Sequence, residues 1–122
     1  MADDFNNAIK RDISMVKGDS MCFGFQIQGL GDNRPDAIYF ACKAELSDET
    51  YIFNKELEDG IELVSYEPTS DVLTYAVRVA PEDTESVDVG RYFYDLSVHI
   101  DDDVLTLMKG RLSIEWEVNE NA

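Results

Sequence analysis

"GRYFYDLSVHIDDDVLTLMKGRLSIEWEV", Gly90 to Val118, decides the fold of this chain. Its first part alternates Tyr92, Tyr94, Leu96, Val98 and Ile100 with Arg91, Phe93, Asp95, Ser97 and His99. Its last part places Leu112, Ile114, Trp116 and Val118 at the same spacing. A period of two sends successive side chains to opposite faces of an extended strand, so each run reads as a strand with one dry and one wet face. "IDDDV", Ile100 to Val104, is short and polar enough to be the hairpin turn between them. Gly110 interrupts the second run and is a candidate β-bulge.

Working outward, the same period recurs. Met21, Phe23, Phe25 and Ile27 alternate with Cys22, Gly24, Gln26 and Gln28, and Ile38, Phe40, Cys42, Ala44 and Leu46 form the inward set of "AIYFACKAEL". Leu73, Tyr75, Val77 and Val79 do so in "DVLTYAVRVA", and "DISMVKG", "YIFNKE" and "IELVSYE" fit shorter strands between turn-forming clusters. No amphipathic helix of useful length intervenes. The expectation is an all-β domain, an antiparallel immunoglobulin-like β-sandwich of about seven to eight strands. It spans residues 13–122, with residues 1–12 as an N-terminal arm or short helix. "PEDTESV" reads as one helical turn opened by Pro81 and favoured by Glu82, Asp83 and Glu85 at its amino end.

The chain has 122 residues, enough for one domain and one hydrophobic core. Against 26 Asp and Glu stand 10 Lys and Arg, a formal net charge of −16. Such a surface repels phosphate backbones and anionic membranes, so neither nucleic acid nor membrane is an expected partner. No apolar run reaches the roughly 18 residues of a membrane span, and "MADDFNNAIKRD" has neither the basic start nor the apolar stretch of a signal peptide. Secretion by a signal peptide is not expected. Cys22 and Cys42 fit reduced thiols, Cys42 inward and Cys22 outward.

Three constellations invite functional readings. Asp95, Ser97 and His99 are the residue types of a hydrolase triad, yet positions two apart on a strand lie about 6.6 Å apart along it, beyond proton-transfer reach. They read as a polar outer face. Asp101 to Asp103 would need more oxygens from a shaped loop to hold a hard cation, and read as a charged hairpin tip that discourages edge pairing. Tyr92, Tyr94 and Trp116 have core parity, whereas Tyr39, Tyr66 and Phe93 have outward parity and are the candidate partner contacts. No catalytic, cofactor-binding or metal-binding residue emerges, and the chain reads as non-enzymatic.

The order "KGDSMCFGFQIQGL", "AIYFACKAEL", "YIFNK", "YAVRVAPEDT", "VGRYFYDLSV" and "DVLTLMKGRLSIEWEV" resembles a family of small phage virion-associated β-domains. It is similar to the amino-terminal domain of siphophage baseplate upper proteins. The shared elements are Gly18-Asp19 before the first long strand, the turn Pro81 to Thr84 that includes Asp83, the run Gly90 to Asp95, and the closing strand Thr106 to Val118. Gly90 is read as freeing the backbone where its strand begins; a positive φ there would bar a β-branched replacement. The resemblance implies a non-catalytic structural or assembly module in a phage head, connector, tail or baseplate. Other virion proteins, and in some arrangements copies of itself, would be the partners. It would reside in the virion, or in the host cytoplasm before assembly. The alternative is an acidic DNA-mimic inhibitor encoded by a phage or mobile element.

Overall fold

The computed structural model describes residues 8–116. Nine strands follow one another: β1 (Ile9–Lys10), β2 (Ile13–Val16), β3 (Met21–Gln28), β4 (Ala37–Lys43), β5 (Phe53–Leu57), β6 (Gly60–Glu67), β7 (Val72–Val79), β8 (Gly90–Ile100) and β9 (Asp103–Glu115). One helical turn, α1 (Pro81–Thr84), stands between β7 and β8. The chain is all-β, as the period-two runs require.

The strands form one sheet in the order β1-β9-β8-β4-β5-β6-β7-β3, with β2 also beside β9. Five pairs are antiparallel: β3 with β7, β4 with β5, β4 with β8, β6 with β7, and β8 with β9. β1 and β2 lie parallel to β9, and β5 lies parallel to β6, so the expected antiparallel arrangement is realised as a mixed sheet. The cause is the partner choice of the chain's first strands, which join the last strand rather than a sequence neighbour. The β5–β6 link is narrow, only Glu56 with Gly60 and Leu57 with Ile61. Glu58 in the turn between these strands has φ 68°, and Gly60, which opens β6, has φ 101°. Instead of two separate sheets, the one sheet curls until β3 lies across the core from β4, where Phe23 meets Phe40 edge-on at 5.2 Å.

The core follows the alternation. Ile38, Phe40 and Cys42 from β4, Leu73, Tyr75, Val77 and Val79 from β7, Tyr94, Leu96 and Val98 from β8, and Leu112 and Ile114 from β9 are all buried. Each such side chain contributes roughly 1.5–3 kcal/mol through its removal from water. Two short motifs lock together over this core. Gly18, at φ +80°, turns the chain between β2 and β3, and its N–H donates to the hydroxyl of the fully buried Thr84 at 2.9 Å. Asp83 accepts from the Ala80 N–H at 2.7 Å and pairs with Lys55 at 2.7 Å, closing α1 from its amino end.

Several sequence expectations need correction. Residues 9–12 are not part of an arm or short helix: Ile9–Lys10 is a strand, and Arg11 donates its N–H to the Lys109 carbonyl at 2.9 Å. The same expectation for residues 1–7, and the inward place given to Val118, lie outside the described residues. β4 stops at Lys43, which leaves Ala44 outside the strand and Leu46 72% exposed. Trp116, just past the end of β9, is 69% exposed and carries the Lys17 ammonium 4.9 Å over its ring. Gly90 has no positive φ, and a Cβ there would meet nothing closer than the Tyr92 ring at 3.9 Å.

Gly110 is not the bulge. It pairs in register with Tyr94, and the extra residue is Leu107, between the Leu96–Met108 and Ser97–Thr106 pairs. Gly110 serves a close approach instead: a Cβ there would collide with the Arg11 carbonyl oxygen and stand 2.8 Å from its carbon. The Tyr94 hydroxyl donates to that same carbonyl. A second bulge at Val64, between Leu63 and Ser65, sets Tyr66 opposite the buried Leu73. Tyr66 is therefore half-buried against the core rather than outward.

Candidate interaction surfaces

Phe93 stands on the wet face of β8, opposite Lys43 on β4 and Arg111 on β9. The Arg111 guanidinium lies 4.1 Å over the Phe93 ring and is held there by two hydrogen bonds, from Nε to the Tyr92 carbonyl and from Nη2 to the Arg91 carbonyl, each 3.2 Å. One strand pair further on, Asp95 lies opposite Lys109, and the parallel register of β1 sets Lys10 beside Lys109. Partial desolvation raises the Asp95 carboxyl above its ordinary value, an effect that Lys43 and Lys109 oppose. A shallow pocket of about 530 Å³ opens here, lined by Lys10, Arg11, Lys109 and Arg111 with Phe93, Leu46 and the single carboxylate of Asp12. Asp12 reaches Arg91 at 3.7 Å across exposed surface, too weak a pair to neutralise the group. An aromatic centre ringed by cations is the composition of a contact surface for an acidic partner.

The cation group is the part of this site that sequence reading missed. Net charge sums over the chain and hides where charges gather; Lys10 and Arg11 join Lys109 and Arg111 only through the parallel pairing of the first strand with the last. The three candidate contacts do not form one patch. Tyr39 shares the sheet face with Phe93 but pairs with Ser97 and packs edge-on against His99, with ring centres 5.2 Å apart. Tyr66 lies on β6, donates to Asp71 at 3.1 Å and carries Arg34 4.7 Å over its ring. Its phenol is raised above its ordinary value chiefly by that hydrogen bond to Asp71.

Asp95, Ser97 and His99 line up along the outer face of β8 at the spacing of a single strand, with no hydrogen bond joining them. Asp101 turns the β8–β9 hairpin at φ 54°, and its N–H donates to the Asp36 carboxylate at 2.9 Å. Among the described residues no group of three or more His, Cys, Asp or Glu is arranged to hold a metal ion, and no helix is long and apolar enough to cross a membrane. Both cysteines are free; burial pushes the Cys42 thiol up to about 12.

The second feature is a cleft of about 810 Å³ between the ends of the curled sheet. Met21, Phe23 and Phe25 of β3 form one wall, and Ile9, Ile13, Leu105, Leu107 and Met108 of β1, β2 and β9 the other. Only Arg11 and Asp12 bring charge to its lining.

No family model and no curated protein matches the chain. Among solved structures the fold is similar to part of a family 123 glycoside hydrolase from Clostridium perfringens, a protein described for glycolipid glycan hydrolysis. The TM-score is 0.57 at 10% identity, over 92% of this chain and 24% of that one. The chain thus spans about a quarter of that protein's length, and the likeness is one of fold.

Proposed function

We propose that the chain is a non-catalytic assembly module that acts through protein–protein contacts, and that its setting is the phage particle its sequence motifs resemble. The observation that carries this reading is the Phe93 face, where an aromatic ring, a stacked arginine and neighbouring lysines project from a rigid strand pair. Arginine and aromatic residues dominate the energetics of protein interfaces, and their backbone here is fixed by ladder hydrogen bonds. The acidic-mimic reading asks for a continuous row of carboxylates; the face around Phe93 presents cations instead.

The test is to count copies of this chain against the major capsid protein by peptide mass spectrometry on purified particles, for the wild type and for Phe93→Ala with Arg111→Ala. A fixed stoichiometry for the wild type, falling about tenfold or more in the double variant while its circular dichroism is unchanged, is the expected result. Absence of the wild-type chain from particles would sink the particle assignment.

A further inference from the structure

The β3 edge lies across the core from β4, with the cleft beside it. Among the described residues β3 ends the sheet, pairing with β7 on one side only. Exposed edges are ordinarily guarded by charge or proline. "MCFGFQIQ" has neither, although every other described strand with five or more residues carries a charge. Beside that open edge the inward sides of Leu105, Leu107 and Met108 remain only half-buried, because among the described residues no strand follows β3 in the sheet to cover them.

The charge distribution indicates what the cleft takes. At the end where β3 finishes, the Gly29 and Gly31 N–H groups donate to Asp71, and Asn33 reaches Asp101 at the β8–β9 turn. Asp32 and Asp36 belong to the β3–β4 loop and Asp102 to the β8–β9 turn, while Asp103 opens β9 two residues before Leu105 enters the cleft wall. Among the described residues of these loops the only cation, Arg34, is spent on the Gly31 and Asn33 carbonyls and the Tyr66 ring. We infer that the cleft receives an extended segment of a partner protein, which adds to the free edge of β3. Its alternate apolar side chains enter beneath β9, and a basic residue sits at the end beside Gln28. Main-chain hydrogen bonds supply affinity in such an arrangement, and the alternate pockets supply selectivity. Eight residues of β3 offer about 26 Å of edge, enough for a segment of similar length.

The cleft shares Arg11 and Asp12 with the pocket beside Phe93, but the β3 edge and Met108 line the cleft alone, so particle counting with the Phe93 and Arg111 variants and the following measurement can fail separately. The probe is a fluorescein-labelled peptide of two lysines followed by four Val-Thr pairs, titrated with the full chain and followed by anisotropy. Saturable binding is expected. It should weaken by about tenfold or more when alternate backbone nitrogens of the peptide are methylated, when its lysines become glutamates, or when Met108→Lys puts an ammonium in the cleft. Methylation keeps the apolar side chains and the charge but removes donors, so it holds the test on the wild-type chain even if Met108→Lys folds poorly. No saturable binding would overturn the proposal. So would equal binding of the methylated peptide, which would make the cleft a site for apolar side chains or small molecules without strand pairing. A wild-type dimer in sedimentation that Met108→Lys dissolves would also overturn it, by giving the edge to a second copy of the chain.

Discussion

At the scale of single residues, two backbone contacts matter more than any side chain on the surface. Gly110→Ala must push a methyl group into the Arg11 carbonyl, which the Tyr94 hydroxyl also holds in place. Backbone cannot rotate away as a flexible side chain can, so urea unfolding should show a loss of about 1–3 kcal/mol. Gly90→Ala, with ordinary φ and open space, should lose far less. Thr84→Val strips the acceptor from the Gly18 N–H in a buried setting, for about 1–3 kcal/mol, while Thr84→Ser keeps it. The thiols should divide as their surroundings do: at pH 8 one thiol per chain, Cys22, reacts promptly with a thiol reagent, and Cys42 only after denaturation. The Cys42 proton is held to about pH 12 in the fold, against an ordinary value of 9.0 when unfolded. The unfolded chain therefore loses that proton first. This contribution is complete below pH 9 and is lost as pH rises toward 12, so stability should fall across that window with a shallower slope in Cys42→Ala.

At the scale of elements, alternation was legible and interruption was not. The inward sets of β4, β7 and β8 could be read directly because burial of one face imposes the period and the register with it. Val64 and Leu107 each insert one residue opposite none on the partner strand, and nothing in their chemistry distinguishes them from ordinary strand residues. Tyr66 was misplaced for that reason. Trp116 has the right parity but falls just beyond the last ladder pair, where parity no longer implies cover. The turn chemistry of Pro81 to Thr84 was readable from proline and acids; that Thr84 would find Gly18, 66 residues away, was not. The bulge makes an unusual prediction. With Val64 removed, Ser65 and Tyr66 keep their partners Thr74 and Leu73 in an uninterrupted antiparallel register, so the deletion should cost within about 1 kcal/mol by urea unfolding. A loss as large as that of Gly110→Ala would mean that the bulge shapes the curl of the sheet.

At the scale of the molecule, charge and its distribution pull in opposite directions. The net of −16 repels itself in the compact state, while Lys10, Arg11, Lys43, Arg91, Lys109 and Arg111, six of the ten basic residues, gather around the Phe93 face. Composition gave the first fact and could not give the second, because the parallel pairing of the first strand with the last is a long-range event with no local signature. Among the described residues the ion pairs that could resist salt are few: Lys55 with Asp83 is close and well covered, and Arg91 with Asp12 is long and exposed. Diffuse repulsion between acids should therefore outweigh specific attraction in the salt response. Raising sodium chloride from about 10 mM to about 150 mM shortens the screening length from about 30 Å to about 8 Å, so the melting temperature should rise by several degrees. The sign decides between the two forces. A melting temperature that falls with salt would show that attraction between the cation group and surrounding acids holds the fold, and that the Phe93 face is already neutralised within the chain.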